Sequence, residues 1–209
     1  MLDQQDSGKE PLEIEVKFYL QDPVGLQRAI AGIGAVSRGR FFETNYRLDD
    51  HNDSLMKRAS LLRLRHDDCA RLTLKTKPEQ SDTRFKTYQE QEVIVSDLET
   101  MARILAQLGF RRRQVYEKWR ETFRLEKTLL CIDTMPFGNF LEIEGTREAI
   151  VRLAARLGFV WEQRILKNYL EIFALLKRRF NLTFNDVTFR NFESIRIDFE
   201  PVIRQMVAA

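Results

Sequence analysis

The sequence is poor in the residue types that mark several common classes of protein. Its two cysteines, Cys69 and Cys131, form neither a disulfide framework nor a metal-binding spacing, which is typical of reduced thiols in a cytoplasm. The two histidines, His51 and His66, are too few for a histidine-based metal centre. No apolar run approaches the roughly 18 residues of a membrane span, and no signal peptide is recognisable near Met1. We therefore expect a cytoplasmic protein without a membrane partner.

An excess of charge of one sign is also missing. The chain has 34 Lys and Arg against 31 Asp and Glu, which leaves a formal net charge of +3. Binding to nucleic acid usually goes with a markedly positive domain, so we expect no nucleic-acid partner. A hydrophobic content of 44% with 15 phenylalanines excludes a disordered chain. The sequence leaves open whether the protein is a monomer or a homodimer.

The order of apolar and polar residues divides the chain into three parts. Residues 1–11 are polar and predict a flexible leader, residues 12–180 a single domain, and residues 181–209 an aromatic C-terminal extension that packs on it. Period-2 alternation predicts eight strands, at about 12–20, 39–48, 60–66, 70–77, 86–95, 112–125, 128–133 and 139–145. Helical spacing predicts four helices, at about 23–35, 97–108, 146–157 and 162–180, the second capped by Ser96.

Charged residues occupy every second position of most predicted strands, so they share one face while apolar residues share the other. The cations of this kind are Lys17, Arg63, Arg65, Lys75, Lys77, Lys118, Arg120 and Arg124, and the acids are Glu13, Glu15, Glu90, Glu92, Asp133, Glu142 and Glu144. If the helices cover the apolar faces, the charged faces meet inside a closed sheet. Cation pairs suit a polyanion with several phosphates, and oxygen-only acids suit Mg²⁺ or Mn²⁺. The alternative is a half-exposed sheet with weak surface salt bridges, and the residues alone leave both open.

The run Glu13-Ile14-Glu15-Val16-Lys17 resembles the ExExK signature of the CYTH family, also called triphosphate tunnel metalloenzymes. An ordered series over about residues 12–172 resembles the rest of the family pattern: Arg63-x-Arg65, Lys75-x-Lys77, Glu90-x-Glu92, Lys118-x-Arg120, Asp133, Glu142-x-Glu144 and Lys167-Asn168-Tyr169. The resemblance implies an α+β fold: a closed eight-stranded antiparallel β-barrel, or tunnel, with helices packed on its outside.

The resemblance also implies roles for these side chains. The metal ligands would be Glu13, Glu15, Glu142 and Glu144, with Asp133 as an additional or indirect ligand, and the metal Mg²⁺ or Mn²⁺. The residues that hold phosphate oxygens would be Lys17, Arg63, Arg65, Lys75, Lys77, Lys118, Arg120, Arg124 and Lys167. The catalytic set would be Glu13, Glu15, Lys17, Glu90 and Glu92, the last two by orienting cations or positioning water. For Glu90, Glu92 and Arg124, a purely structural charge pair is an equal alternative.

One departure from the family pattern concerns the second strand. Family members often carry Asp-x-Tyr-x-Asp there, whereas this chain has Asn45-Tyr46-Arg47-Leu48-Asp49. A tyrosine proposed to help proton transfer in some relatives falls at Arg47, unless the register shifts to Tyr46. The identity of a general base is therefore open.

The expected function is that of a divalent-metal-dependent phosphohydrolase whose small-molecule substrate is inorganic tripolyphosphate or a nucleoside or thiamine triphosphate. The alternative is a class IV adenylyl cyclase, which converts ATP to cyclic AMP and pyrophosphate with the same machinery. A second alternative is a non-catalytic module that binds polyphosphate or nucleotide. Such a module would keep the cations but would not need the four metal-binding glutamates.

Overall fold

A computed structural model of the chain describes residues 12–79 and 82–207. Within these ranges the strands are β1 (Leu12–Leu20), β2 (Val36–Asp49), β3 (Leu61–His66), β4 (Ala70–Thr76), β5 (Lys86–Val95), β6 (Arg111–Leu125), β7 (Thr128–Met135) and β8 (Gly138–Glu144). The helices are α1 (Pro23–Gly32), α2 (Ser54–Lys57), α3 (Leu98–Gln107), α4 (Arg147–Arg156), α5 (Tyr169–Phe180), α6 (Phe189–Phe192) and α7 (Glu200–Ile203). The predicted leader, residues 1–11, lies outside the described residues.

The eight strands form one antiparallel sheet that closes into a ring. Their order is β1-β5-β4-β3-β2-β6-β7-β8, and β1 pairs with both β5 and β8. The predicted strand count, antiparallel pairing and closure are therefore confirmed. Because side chains alternate along each strand, every strand of the ring presents one set of residues inward and the other outward.

Much of the outward set is apolar and is covered by helices. On β1, Ile14, Val16 and Phe18 are buried in a cluster that includes residues of α1 and α4. On β3, Leu62 and Leu64 belong to a second cluster with residues of α3. Burial of this apolar surface stabilises the ring, at about 25 cal/mol per Å². The alternate residues of the same strands, which are the charged ones, consequently face inward.

Two predicted helix starts differ from the structure. The helix predicted from residue 162 begins at Tyr169, because the Asn168 side chain accepts from the Glu171 N–H and the Glu171 carboxylate accepts from the Asn168 N–H. Before that cap the chain forms a short 3-10 helix at Trp161–Gln163 and then an isolated bridge, in which the Ile165 N–H donates to the Lys17 carbonyl at 2.7 Å. Helix α3 is capped by Asp97 rather than by Ser96. In both places a local hydrogen bond, which hydrophobic spacing does not report, fixes the first residue.

The C-terminal segment, residues 182–206, packs against α5 and one end of the ring. Strand β7 stops at Met135, which leaves the edge of β6 around Val115 without a strand partner. Val187 fills this edge: its N–H donates to Val115 O at 2.8 Å, and its carbonyl accepts from Glu117 N at 2.9 Å. Aromatic residues of the segment, among them Phe192, join a cluster that also contains Phe140 of β8. No helix among the described residues is long and apolar enough to span a membrane.

Candidate metal and phosphate site

Ion pairs that reach across an intervening strand show that the charged side chains share the interior of the ring. Lys75 of β4 lies 2.5 Å from Glu13 of β1, across β5. Arg65 of β3 lies 3.2 Å from Glu92 of β5, across β4. Arg120 of β6 bonds to Glu142 of β8 across β7. Such contacts need both side chains on the concave side, so residues far apart in sequence form one charged cluster.

Four of the predicted metal-binding carboxylates come from the adjacent strands β1 and β8. Glu15 stands directly opposite Glu144, and Lys17 stands opposite Glu142. The ammonium of Lys17 lies 2.5 Å from Glu142 and 3.7 Å from Glu15, and it is almost fully buried. The pairing register therefore brings Glu13, Glu15, Glu142 and Glu144 onto one side of the interior, as a metal site requires.

The pKa values of these carboxyls show that they crowd one another. Burial, followed by the charge of Glu15, raises the pKa of Glu13 to about 7 even though Lys75 opposes the change. Burial and Glu15 also raise the pKa of Glu144. Burial likewise disfavours ionised Glu15, but Lys86 at 2.5 Å, Lys17 and Lys75 together outweigh it and lower the pKa of Glu15 to about 2. Adjacent carboxylates that resist joint ionisation suit a divalent cation, and an oxygen-only set fits Mg²⁺ or Mn²⁺.

Asp133 of β7 is fully buried and accepts hydrogen bonds from three side chains. They come from Lys118 Nζ at 3.0 Å, Arg120 Nε at 2.7 Å and the Tyr169 hydroxyl at 2.8 Å. Tyr169 also lies beneath the ammonium of Lys17, which is 4.5 Å from its ring centroid. The structure thus gives Asp133 a clear contact role, which is to hold two of the predicted phosphate-binding cations.

Glu90 and Glu92 of β5 face the interior and pair with cations of β3 and β4. Glu90 lies 3.0 Å from Lys75, and Glu92 accepts from the Thr73 hydroxyl at 2.7 Å. Arg63 is looser, at 3.9 Å from Glu90 and 3.7 Å from Glu92. These distances support the idea that the two acids orient cations.

Three cations of the predicted phosphate-binding set are exposed rather than gathered into this cluster. Lys77 lies one residue beyond the end of β4, and Lys167 lies just before the cap of α5. Arg124 donates from its Nε to the carbonyl of Glu126 in the following turn, at 2.8 Å. A role in phosphate binding for these three residues stays a prediction.

Sequence reasoning missed two interior residues. Glu43 of β2 is 2% exposed and lies among Lys118 at 3.4 Å, Arg120 at 3.8 Å and Arg65 at 3.9 Å. Lys86, at the start of β5, pairs with Glu15. Both sit in period-2 alternation with other polar residues, in Glu43-Thr-Asn45-Tyr-Arg47 and Lys86-Thr-Tyr88-Gln-Glu90. That alternation was the available signal, but it lacked a second charge of the same sign at i+2.

The buried carboxylate of Glu43 should make the free energy of unfolding depend on pH. Burial opposes its ionisation, but Lys118, Arg120 and Arg65 together lower its pKa to about 2. A lowered folded-state pKa contributes stability that is complete above the unfolded value of about 4.5 and is lost as pH falls towards 2. We expect Glu43→Gln to cost roughly 3 kcal/mol of unfolding free energy at pH 7 and much less at pH 3. Urea titrations at both pH values measure this, with exposed Glu99→Gln as the control; an equal loss at both would contradict it.

Several buried polar atoms in the interior have no hydrogen-bond partner within the described part of the chain. Three are guanidinium donors, Nε of Arg47, Nε of Arg63 and Nε of Arg65. Unused buried donors are costly unless a ligand engages them. Arg63 shares Glu90 with Lys75, and Arg65 shares Glu43 with Lys118, so the donors of these two arginines belong to a cation cluster that suits an anion with several oxygens.

A group of potential metal-ligating atoms also lies outside the interior. Among the described residues, Asp67, Asp68 and Cys69 in the β3–β4 turn have such atoms within 4.8 Å of one another. Both aspartates already pair with Arg71. The turn is therefore explained by local ion pairs.

Comparisons with known proteins agree with this architecture. The family model of the CYTH domain matches residues 11–156. A protein of Methanocaldococcus jannaschii, named as a candidate adenylate cyclase, is 25% identical over 172 residues, which cover 77% of this chain and 98% of that protein. The structure of a candidate adenylate cyclase from Vibrio parahaemolyticus has a TM-score of 0.70 at 18% identity, covering 79% of this chain and 99% of the other. A candidate adenylyl cyclase from Hippeastrum, described as having a dominant triphosphatase activity, has a TM-score of 0.54 at 18% identity, covering 80% and 96%.

Proposed function

Because the chain belongs to the CYTH domain family, we propose that it is a divalent-metal-dependent phosphohydrolase that acts on a triphosphate held in the tunnel formed by the ring. The observation that carries the proposal is the division of the interior. Carboxylates of β1 and β8 lie on one side, and inward-facing cations of β3, β4 and β6 lie beside them. An oxygen-only acid set next to clustered guanidinium and ammonium groups matches a metal-bound phosphate chain.

In this proposal Glu13, Glu15, Glu142 and Glu144 hold the metal. Mg²⁺ or Mn²⁺ bound there would supply neutralisation of the phosphoryl oxygens and of charge that develops at the reacting phosphorus. The cations Lys17, Arg63, Arg65, Lys75, Lys118 and Arg120 bind phosphate oxygens and keep the chain in one orientation. Asp133, Glu90 and Glu92 fix the positions of these cations through the contacts described above.

The main alternative is adenylyl cyclase activity on ATP. The Methanocaldococcus and Vibrio proteins are named as candidate adenylate cyclases, which keeps this alternative open. The Hippeastrum protein carries a similar name, yet its described dominant activity is that of a triphosphatase. That description favours hydrolysis as the leading proposal. A non-catalytic binding module is disfavoured, because it would need the cations but not the four crowded glutamates of β1 and β8.

One assay separates these functions. The protein is incubated with tripolyphosphate, ATP or thiamine triphosphate in Mg²⁺ or Mn²⁺, and orthophosphate and cyclic AMP are measured in the same samples. We expect metal-dependent release of orthophosphate with little cyclic AMP. Cyclic AMP and pyrophosphate as the main products from ATP would establish the cyclase instead. Binding of these ligands without turnover in either metal would leave the non-catalytic module.

A further inference from the structure

Two buried side chains of β2 have an oxygen atom that accepts no hydrogen bond from the described part of the chain. Asn45 is 0% exposed and Glu43 is 2% exposed, and the atoms are Asn45 Oδ1 and Glu43 Oε2. One residue separates them in the strand, so both side chains stand on the inward face, about 7 Å apart. A buried acceptor without a donor is costly. The interior beside Asn45 and Glu43 therefore suits a group that donates hydrogen bonds.

The polar groups next to these two oxygens are engaged elsewhere. The Asn45 amide nitrogen donates to the Tyr116 carbonyl at 3.5 Å, which orients the amide so that Oδ1 points away from that carbonyl. Lys118 Nζ lies 3.4 Å from Glu43 Oε2, but it donates to Asp133 at 3.0 Å. The charge of Glu43 is balanced by cations, whereas the hydrogen-bonding capacity of its Oε2 is unused.

The chemistry of the surroundings identifies the group that fits. A phosphate oxygen is itself an acceptor, so it cannot satisfy an amide or carboxylate oxygen. A metal ion would be repelled, because the cross-strand partner of Asn45 is Arg65 and that of Glu43 is Lys118. Water is small, donates through two O–H groups and makes about two to four hydrogen bonds when buried. Water therefore matches these two acceptors.

We propose that Asn45 and Glu43 hold and orient the water molecule that attacks the terminal phosphorus of the triphosphate. The inference rests on the proposed function, because it assigns a role in the same reaction. With both O–H groups directed at β2, the lone pairs of the water face the phosphoryl group that Arg65 and Lys118 bind. Strand β2 lies four positions round the ring from β1 in either direction. The water therefore approaches from the wall opposite β1, as an in-line displacement requires.

The step needs no further reactant. The water oxygen forms a bond to the terminal phosphorus while the bond from that phosphorus to the bridging oxygen breaks, and the bridging oxygen keeps the electron pair. With tripolyphosphate, one proton of the water stays on orthophosphate and the other passes to the departing diphosphate. Because neighbouring cations lower the pKa of Glu43 to about 2, Glu43 orients the water and does not retain its proton.

Steady-state hydrolysis of tripolyphosphate in Mg²⁺ or Mn²⁺ tests the proposal. Asn45→Leu removes the acceptor at similar volume, and Asn45→Asp keeps one. Thr87→Val is the matched control, because it removes another buried oxygen that lacks a donor among the described residues, on the outer face opposite Ile14. We expect Asn45→Leu to lower kcat about a hundredfold and to change KM less than about threefold, since water is positioned for the chemical step. Asn45→Asp should keep at least about a fifth of kcat, and Thr87→Val should match the wild type.

A crystal structure of the wild type with an imido-bridged, non-hydrolysable tripolyphosphate provides a readout that needs no variant. An ordered water should lie within hydrogen-bond distance of Asn45 Oδ1 and face the terminal phosphorus. A phosphate oxygen or metal ion at that atom would overturn the inference.

The kinetic outcomes separate the inference from the proposed function. A folded Asn45→Leu variant with unchanged kcat would show that the water is structural only, and a raised KM with unchanged kcat would place Asn45 in substrate binding. Either result overturns the inference while release of orthophosphate by the wild type still supports the proposed function. If the wild type releases no orthophosphate from any of the triphosphates, the proposed function fails as well.

Discussion

Replacement of both Glu13 and Glu15 by glutamine is expected to lower metal-dependent turnover of a triphosphate by at least about a thousandfold. Both side chains face the interior from β1, and Glu15 stands opposite Glu144 of β8. Each glutamine keeps the shape and one carbonyl oxygen, but the two replacements remove two carboxylates from the proposed metal-binding set. A divalent metal lowers the barrier to phosphoryl transfer by several kcal/mol, because it stabilises the charge that develops in the transition state. Loss of the metal therefore predicts a loss of turnover of about a thousandfold.

Direct metal binding should change together with turnover. Titration with Mn²⁺ followed by calorimetry is expected to show binding in the wild type and none in the double variant at the same concentrations. A double replacement of exposed acids on outer helices, Glu99→Gln with Glu148→Gln, is the matched control and should behave as the wild type. Circular dichroism checks that the strands remain. A folded Glu13/Glu15 variant that keeps full Mn²⁺ binding and activity would show that the metal lies elsewhere.

The alternation of residue types allowed the strands and their two faces to be predicted. Because side chains alternate along a strand, an alternating sequence predicts both the extended conformation and which residues share a face, as in Leu62-Arg63-Leu64-Arg65. Closure of the ring is less local, since it depends on β1 pairing with β5 and β8 at once. The ordered series of charged pairs supplied that information through family resemblance rather than through physical pattern.

The membership of the interior could be predicted only in part. Lys77 lies two residues after Lys75, which would place both side chains on one face of a strand. Because β4 ends at Thr76, Lys77 lies outside the strand. Arg124 keeps the alternation of β6, yet a backbone carbonyl in the next turn accepts its hydrogen bond. Conversely, the alternation of β2 is compatible with an inward-facing Glu43, but its three cationic partners lie on other strands and cannot be predicted from the local sequence. The end of a strand and the partners of a side chain across the ring depend on tertiary structure, which local sequence does not determine.

Replacement of Asp133 by asparagine is expected to lower the free energy of unfolding substantially. Its carboxylate is completely buried and is shared by Lys118, Arg120 and the Tyr169 hydroxyl. Asp133→Asn keeps the volume but leaves two buried cations without their common counter-ion. Breaking a buried ion pair from one side costs about 3–5 kcal/mol, and Glu142 and Glu43, which also lie near these cations, should hold the loss near the lower end of that range.

Urea unfolding in EDTA measures this loss, and metal titration separates it from a role in metal binding. We expect Asp133→Asn to lower the unfolding free energy by about 3 kcal/mol, whereas Asp68→Asn, which removes an exposed partner of Arg71, should cost less than about 1 kcal/mol. Because Asp133 is already engaged by three donors, its replacement should weaken Mn²⁺ binding less than the Glu13/Glu15 replacement does. Unchanged stability together with complete loss of Mn²⁺ binding would instead identify Asp133 as a direct metal ligand.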